Sequence, residues 1–123
     1  MRTIAPFVVK GTGIDNSLEM LSIARARLDQ DGIKNCQVRV GDMYRLRFKK
    51  NSFDLITINS LLRYADEPKK VIAEAARVLE KKGALLIFFD RSIFNFSTRS
   101  CKYFFDCNFL SSGVFGELIL ITK

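Results

Sequence analysis

The sequence predicts an α/β protein, a mostly parallel β-sheet flanked by helices, and three observations carry that expectation. Short apolar segments rich in β-branched residues recur at residues 7–14, 36–40, 53–59 and 84–89. Longer stretches with apolar residues at helical spacing separate them, at residues 17–31 and 68–82. The connections are short, and strand-helix-strand order with short links favours parallel pairing through right-handed crossovers.

Each element has its own warrant. Residues 7–14 are apolar enough for a buried strand, and they end at Asp15. Asn16 or Ser17 then caps a helix through Asp31, with Glu19 placed to favour the positive end of its dipole. Leu18, Leu21, Ala24 and Leu28 give that helix an apolar stripe, and Gly32 supplies a left-handed stop. The strand at 36–40 runs into Gly41-Asp42-Met43, and the strand at 53–59 is apolar enough to be covered on both faces. In the second helix Asp66 is the expected cap and Pro68 suits the first turn. Val71, Ile72, Ala75, Val78 and Leu79 share one face, Lys81 and Lys82 suit the negative end, and Gly83 ends it. Residues 84–89 form a short buried strand.

The last third follows a different pattern. Residues 91–115 are rich in Ser, Asn and Phe, with no sustained period; Phe94, Phe96, Phe104, Phe105, Phe109 and Phe115 suit either a packed flap or exposed positions. Residues 117–122 read as a final strand. A chain of 123 residues makes one domain, with residues 1–90 as its core and 91–123 as a divergent C-terminal segment of the same domain, ending in an edge strand.

Composition narrows the function classes. No apolar run approaches the roughly 20 residues that cross a bilayer, so no membrane partner is expected. No secretory signal is visible before Lys10, and Cys36, Cys101 and Cys107 are odd in number without metal-ligand spacing or any histidine. A reduced, cytoplasmic setting and no metal are the expectation. The net charge of +7 comes from scattered groups, Arg25 and Arg27, Arg45 to Lys50, Lys69-Lys70 and Lys81-Lys82, which read as solvated faces. Arg45-Leu46-Arg47-Phe48-Lys49-Lys50 is the best candidate patch, but no nucleic-acid-binding motif accompanies it, and nucleic acid is not expected as a partner.

The chemistry lies at two strand ends. Gly13-Ile14-Asp15-Asn16-Ser17-Leu18-Glu19-Met20-Leu21 is a strand that ends on a carboxylate and turns directly into a helix, and Gly41-Asp42-Met43 closes the next strand on another. Carboxylates at consecutive strand ends suit a nucleoside: one accepts from both ribose hydroxyls, the other from an adenine amino group. Asp15 has the alternative of capping the following helix, and Asp42 that of shaping a solvated turn.

On these motifs the chain resembles the class I S-adenosylmethionine-dependent methyltransferases, particularly the small-molecule subgroup called type 11, from about Gly13 to Asp90. The resemblance implies a Rossmann-like sheet, S-adenosyl-L-methionine as cofactor and a small-molecule methyl acceptor. It places the ribose diol on Asp15, the adenine beside Asn16, the adenine amino group on Asp42 and a ring nitrogen on the Met43 amide. Asn59 falls where the family's fourth strand reaches the cofactor. The family also carries a central first strand and a glycine-rich loop before this region, whereas only Met1 to Gly11 precede it here. Lys10-Gly11-Thr12-Gly13 reads as strand with incidental glycines, or else as that loop contracted onto the next strand end. The sheet is thus expected to be incomplete relative to the family, and the chain a fragment of low activity. Lys81-Lys82 stand where the family's helix end has a proline and a glycine, and Arg63 stands where related enzymes often have histidine. Asp66, Glu67 and Tyr64 could each act as a base, nothing selects among them, and no catalytic residue is named. The alternative is a non-catalytic remnant of an ArsR-type regulator fusion or a basic binding module.

Overall fold

A computed structural model describes residues 5–88, 103–104 and 117–122 of the chain. A short 3-10 turn, Ala5–Phe7, leads to β1 (Lys10–Asp15), α1 (Leu18–Gln30) and β2 (Cys36–Val40). Then come β3 (Phe53–Asn59), α2 (Pro68–Val78), β4 (Leu79–Phe88), the two-residue β5 (Tyr103–Phe104) and β6 (Glu117–Thr122). The strands form one sheet in the order β2-β1-β6-β3-β4-β5. β1–β2, β3–β4 and β4–β5 are parallel pairs, whereas β6 runs antiparallel to both of its neighbours. The mostly parallel α/β sheet expected from the sequence is the one observed.

The place of β6 is a correction. Expected at an edge, it occupies the middle of the sheet, with five registered pairs to β1 and five to β3. Leu118, Ile119, Leu120 and Ile121 are all at most 5% exposed. The physical reason is backbone satisfaction. Without β6, β1 and β3 would each hold a row of unpaired N–H and C=O groups inside the protein, and such groups are costly to bury. Only a strand apolar on both faces fits that slot. Four consecutive apolar residues were the sequence signal for it, since a half-exposed edge strand alternates instead.

β2 and β3 coincide with the segments read from the sequence. β1 starts three residues late because the chain before it winds into the 3-10 turn, whose exit is held by Asn35: its Nδ2 donates to the carbonyls of Ala5 (2.7 Å) and Val8 (2.9 Å). Gly11 and Gly13 lie inside β1, so the contracted-loop alternative is not adopted. Gly11 is not incidental either, since a Cβ there would come 2.9 Å from Cys36 Sγ. Burial pushes the Cys36 thiol above its ordinary range.

Of the two caps expected for α1, Asn16 and Ser17, it is Ser17 that serves, its Oγ accepting from the Met20 amide (3.3 Å), and the helix stops at Gly32, whose φ is +67°. Leu18 stays 73% exposed, so the buried stripe narrows to Leu21 and Leu28. α2 ends at Val78, four residues short of expectation. The carbonyls of Arg77 and Val78 accept from the amides of Asn51 (3.3 Å) and Ser52 (2.7 Å) instead of from a further helical turn. Leu79 then turns extended and pairs with Phe53, so the two lysines and Gly83 become strand. Glu67, rather than Asp66, occupies the cap position of α2, with no side-chain capping bond to the helix amides.

The two helices lie on opposite faces. Ile56 and Ile58, Leu85 and Ile87, and Leu118 and Leu120 project to one side and pack with Val71, Ala75 and Val78 of α2. Leu28 of α1 packs on Cys36 and Val38, which alternate with Gln37 and Arg39 and therefore face the other way. β5 was not foreseen; it pairs parallel with Leu86 and Ile87. The phenylalanines at 94, 96, 105, 109 and 115 lie outside the described residues. Among the described residues no helix is long and apolar enough to cross a membrane.

Candidate functional site

Parallel strands direct their C-terminal ends to one edge of the sheet, where open α/β sheets bind ligands. Asp15 ends β1 there, Gly41-Asp42-Met43 follows β2, and Asn59 ends β3. β6 enters from the same edge, since Glu117 pairs with Asn59 and Leu118 with Ile14. All five residues singled out from the sequence thus lie on or beside this edge.

Their bonding differs. Asp15 is half-buried; its Oδ1 accepts from the Ser17 amide (2.8 Å), and its carbonyl accepts from the Gly41 amide (3.0 Å). One carboxylate oxygen therefore shapes the entry to α1, while Oδ2 has no protein partner among the described residues. Asn16 is exposed, and the cap is Ser17. Asp42 is exposed and builds a tight turn, with Oδ1 accepting from the Tyr44 amide (2.8 Å) and its carbonyl from the Arg45 amide (3.1 Å). Met43 is half-buried against the core, and its amide has no acceptor among the described residues. Asn59 is half-buried, and its Oδ1 accepts from Ser60 Oγ at 3.4 Å. Ser60 takes φ +51°, so the chain turns sharply as it leaves β3.

The turn after β2 is held by a clamp that the sequence reading missed. Arg77 of α2 donates to Glu74 through Nε (2.9 Å) and Nη2 (2.7 Å), and also to the carbonyls of Leu46 (2.8 Å) and Phe48 (3.0 Å). Glu74 Oε1 in turn accepts from the Leu46 amide (2.8 Å). Spacing of three along a helix made the Glu74–Arg77 pair legible, but not the loop it grips. Tyr44 adds a second tie, its hydroxyl accepting from the Glu67 amide at 3.3 Å. Glu67 pairs with Lys70 (2.7 Å), and Tyr64 is 58% exposed.

The clamp has a pH signature. The hydrogen bond from Arg77 holds the Glu74 carboxyl below its ordinary value of 4.5, and the Leu46 amide adds to it. A depressed folded-state pKa contributes stability that is present above the unfolded value and lost as pH falls through the folded one. Denaturant unfolding between roughly pH 6 and 3 should therefore show the wild type losing stability faster than Glu74→Gln, which has no such proton to gain. Parallel curves for the two would show that the clamp adds nothing.

Comparison with known proteins decides the family. Residues 2–87 match the methyltransferase domain. The chain belongs to the class I S-adenosylmethionine-dependent methyltransferase family. Among relatives of this methyltransferase domain, the uncharacterized protein MJ1123 of Methanocaldococcus jannaschii is 38% identical over 117 residues, covering 90% of this chain and 53% of the relative. The demethylmenaquinone methyltransferase of Thermotoga maritima is 41% identical over 76 residues, 62% of this chain and 31% of the relative. The crystal structure of YcgJ from Bacillus subtilis superposes with a TM-score of 0.68 at 29% identity, over 70% of this chain and 37% of that one. The chain thus spans about half the length of the first relative and about a third of the others.

The residues present fit the nucleoside end of S-adenosylmethionine. An unengaged carboxylate oxygen on Asp15, an accepting side chain at Asp42 and an unspent amide at Met43 are the acceptors and donor that a ribose diol and an adenine edge require. The methionine end is different. In the family the central slot holds a parallel strand that opens through a glycine loop into a helix. Here that slot holds β6, which runs the other way.

Proposed function

We propose that this chain is a nucleoside-binding methyltransferase core that holds S-adenosylmethionine through Asp15, Asn16, Asp42, Met43 and Asn59 and serves transfer to a small-molecule acceptor. The observation that carries this reading is the convergence of Asp15, the Met43 amide and Asn59 at the C-terminal ends of β1, β2 and β3, within a chain of methyltransferase ancestry. The names of two relatives, a demethylmenaquinone methyltransferase and a phosphatidylethanolamine N-methyltransferase, support a small acceptor of lipid-like character. The cofactor supplies a methyl group on a sulfonium, already activated for transfer. What remains for the protein is to bind the nucleoside, orient it and exclude water.

Two acceptor bonds to a charged group outweigh one. Asp15→Ala should therefore weaken S-adenosylhomocysteine binding more than Asp42→Ala, by roughly 1.5–3 kcal/mol per bond lost. Asp15→Asn separates binding from folding, because its amide oxygen can still accept from the Ser17 amide while the charge is gone. Calorimetric titration of the three variants tests the reading. Equal affinities for wild type and Asp15→Asn would sink it.

A further inference from the structure

We infer that the groove along the outer edge of β2 is a second binding site, for a small ligand that carries a diphosphate or comparably dense anion. Arg25 of α1, Arg39 of β2 and Arg47 of the following loop line one cavity of about 530 Å³. No carboxylate lines it, and none of the three arginines has an ion-pair partner among the described residues. Like charges collected in one place repel, and a multivalent anion relieves that repulsion while guanidinium forks supply paired hydrogen bonds.

The groove is also built to hold its shape. The loop carrying Arg47 is gripped on both sides, at the Leu46 and Phe48 carbonyls, by Arg77. Phe48 is braced edge-on against Phe53 (5.0 Å between centroids, 90°), and the Arg39 guanidinium lies 6.0 Å from its ring. Val38, Val40, Leu46 and Phe48 add a smaller apolar share to the lining. Charged side chains can guard an exposed sheet edge, but guarding alone does not call for three arginines around one cavity. The volume falls in the range of small-molecule pockets. Asp15, Asn16, Asp42, Met43 and Asn59 do not line it, although Ile14 and Gly41, which do, adjoin Asp15 and Asp42.

Calorimetry with inorganic pyrophosphate as the probe tests the site, with inorganic phosphate, 1-naphthyl phosphate and a single-stranded oligonucleotide for comparison. Pyrophosphate should bind more tightly than phosphate or 1-naphthyl phosphate, whose single phosphate engages fewer guanidinium forks. Arg39→Ala and Arg47→Ala should each weaken pyrophosphate about ten-fold or more, and Arg39→Lys should fall between wild type and Arg39→Ala. Lys69→Ala, on α2 away from the groove, should change nothing, and S-adenosylhomocysteine affinity should be the same in Arg39→Lys as in wild type. No pyrophosphate binding at millimolar concentration would overturn the inference. So would equal weakening by Lys69→Ala, which would reduce the effect to net charge. Oligonucleotide binding that is steeply salt-dependent and tighter than pyrophosphate would assign the groove to a polynucleotide and overturn it as well.

Discussion

Replacing Leu120 by aspartate is expected to unfold this chain, and ending the chain before Glu117 is expected to do the same. Leu120 is fully buried in the strand at the centre of the sheet, paired with Thr12 on one side and Ile56 on the other. Truncating a buried leucine to alanine already costs about 2–5 kcal/mol. A carboxylate at that position adds an unpaired charge, against a total stability of about 5–15 kcal/mol for a domain. Deleting the strand removes four buried side chains and leaves two backbone ladders unpaired. Circular dichroism and thermal melts of Leu120→Asp, beside Leu120→Ala as the graded case, measure this. A cooperative transition near the wild-type temperature in Leu120→Asp would mean that β6 is a peripheral strand after all.

The second large effect concerns ligand affinity. S-adenosylmethionine is expected to bind the 123-residue chain in the millimolar range, with little or no turnover. The cause is strand direction. A parallel strand in the central slot delivers its C-terminal end, a tight loop and a helix N-terminus to the ligand edge, and their amides meet the methionine carboxylate. β6 delivers its start to that edge and its end, Thr122, to the opposite one, beside Lys10. Two amide donors to a charged carboxylate amount to roughly 3–6 kcal/mol, and their loss lowers affinity by about a hundred- to ten-thousand-fold. Titration and a turnover assay with radiolabelled methyl donor check this. Micromolar binding with multiple turnovers would mean that the chain entering β6 supplies those amides itself.

Comparing the two affinities separates the halves of the cofactor. If adenosine binds as tightly as S-adenosylhomocysteine and Asp15→Asn weakens both alike, the nucleoside end carries nearly all the binding that this chain has. That outcome would agree with both the strand-end carboxylate and the reversed central strand.

Local physics was legible in the residues. The span of β2, the span of β3, the Ser17 cap and the Gly32 stop all depend on neighbours a few positions away, and all were readable. So was the placement of Asp15, Asp42 and Asn59 at strand ends, because alternating strands and helices put those ends on one edge. Asp42 showed both of its readings in the sequence, and the structure has it shaping the turn through the Tyr44 amide. Pattern and motif were enough to give the fold class, the family and the edge at which those strand ends gather.

Tertiary structure alone decided what is non-local. Whether α2 stops at Val78 depends on Asn51 and Ser52, which reach its last carbonyls from more than 25 residues away. Whether the turn after β2 is rigid depends on Arg77 finding two carbonyls across the same distance. Above all, the neighbour of β1 and β3 could not be read locally, because an apolar strand shows that it must be buried and not which ladder it completes. Pairing with β6 completes the ladders of both β1 and β3, and it puts the last of the described strands, reversed, between them.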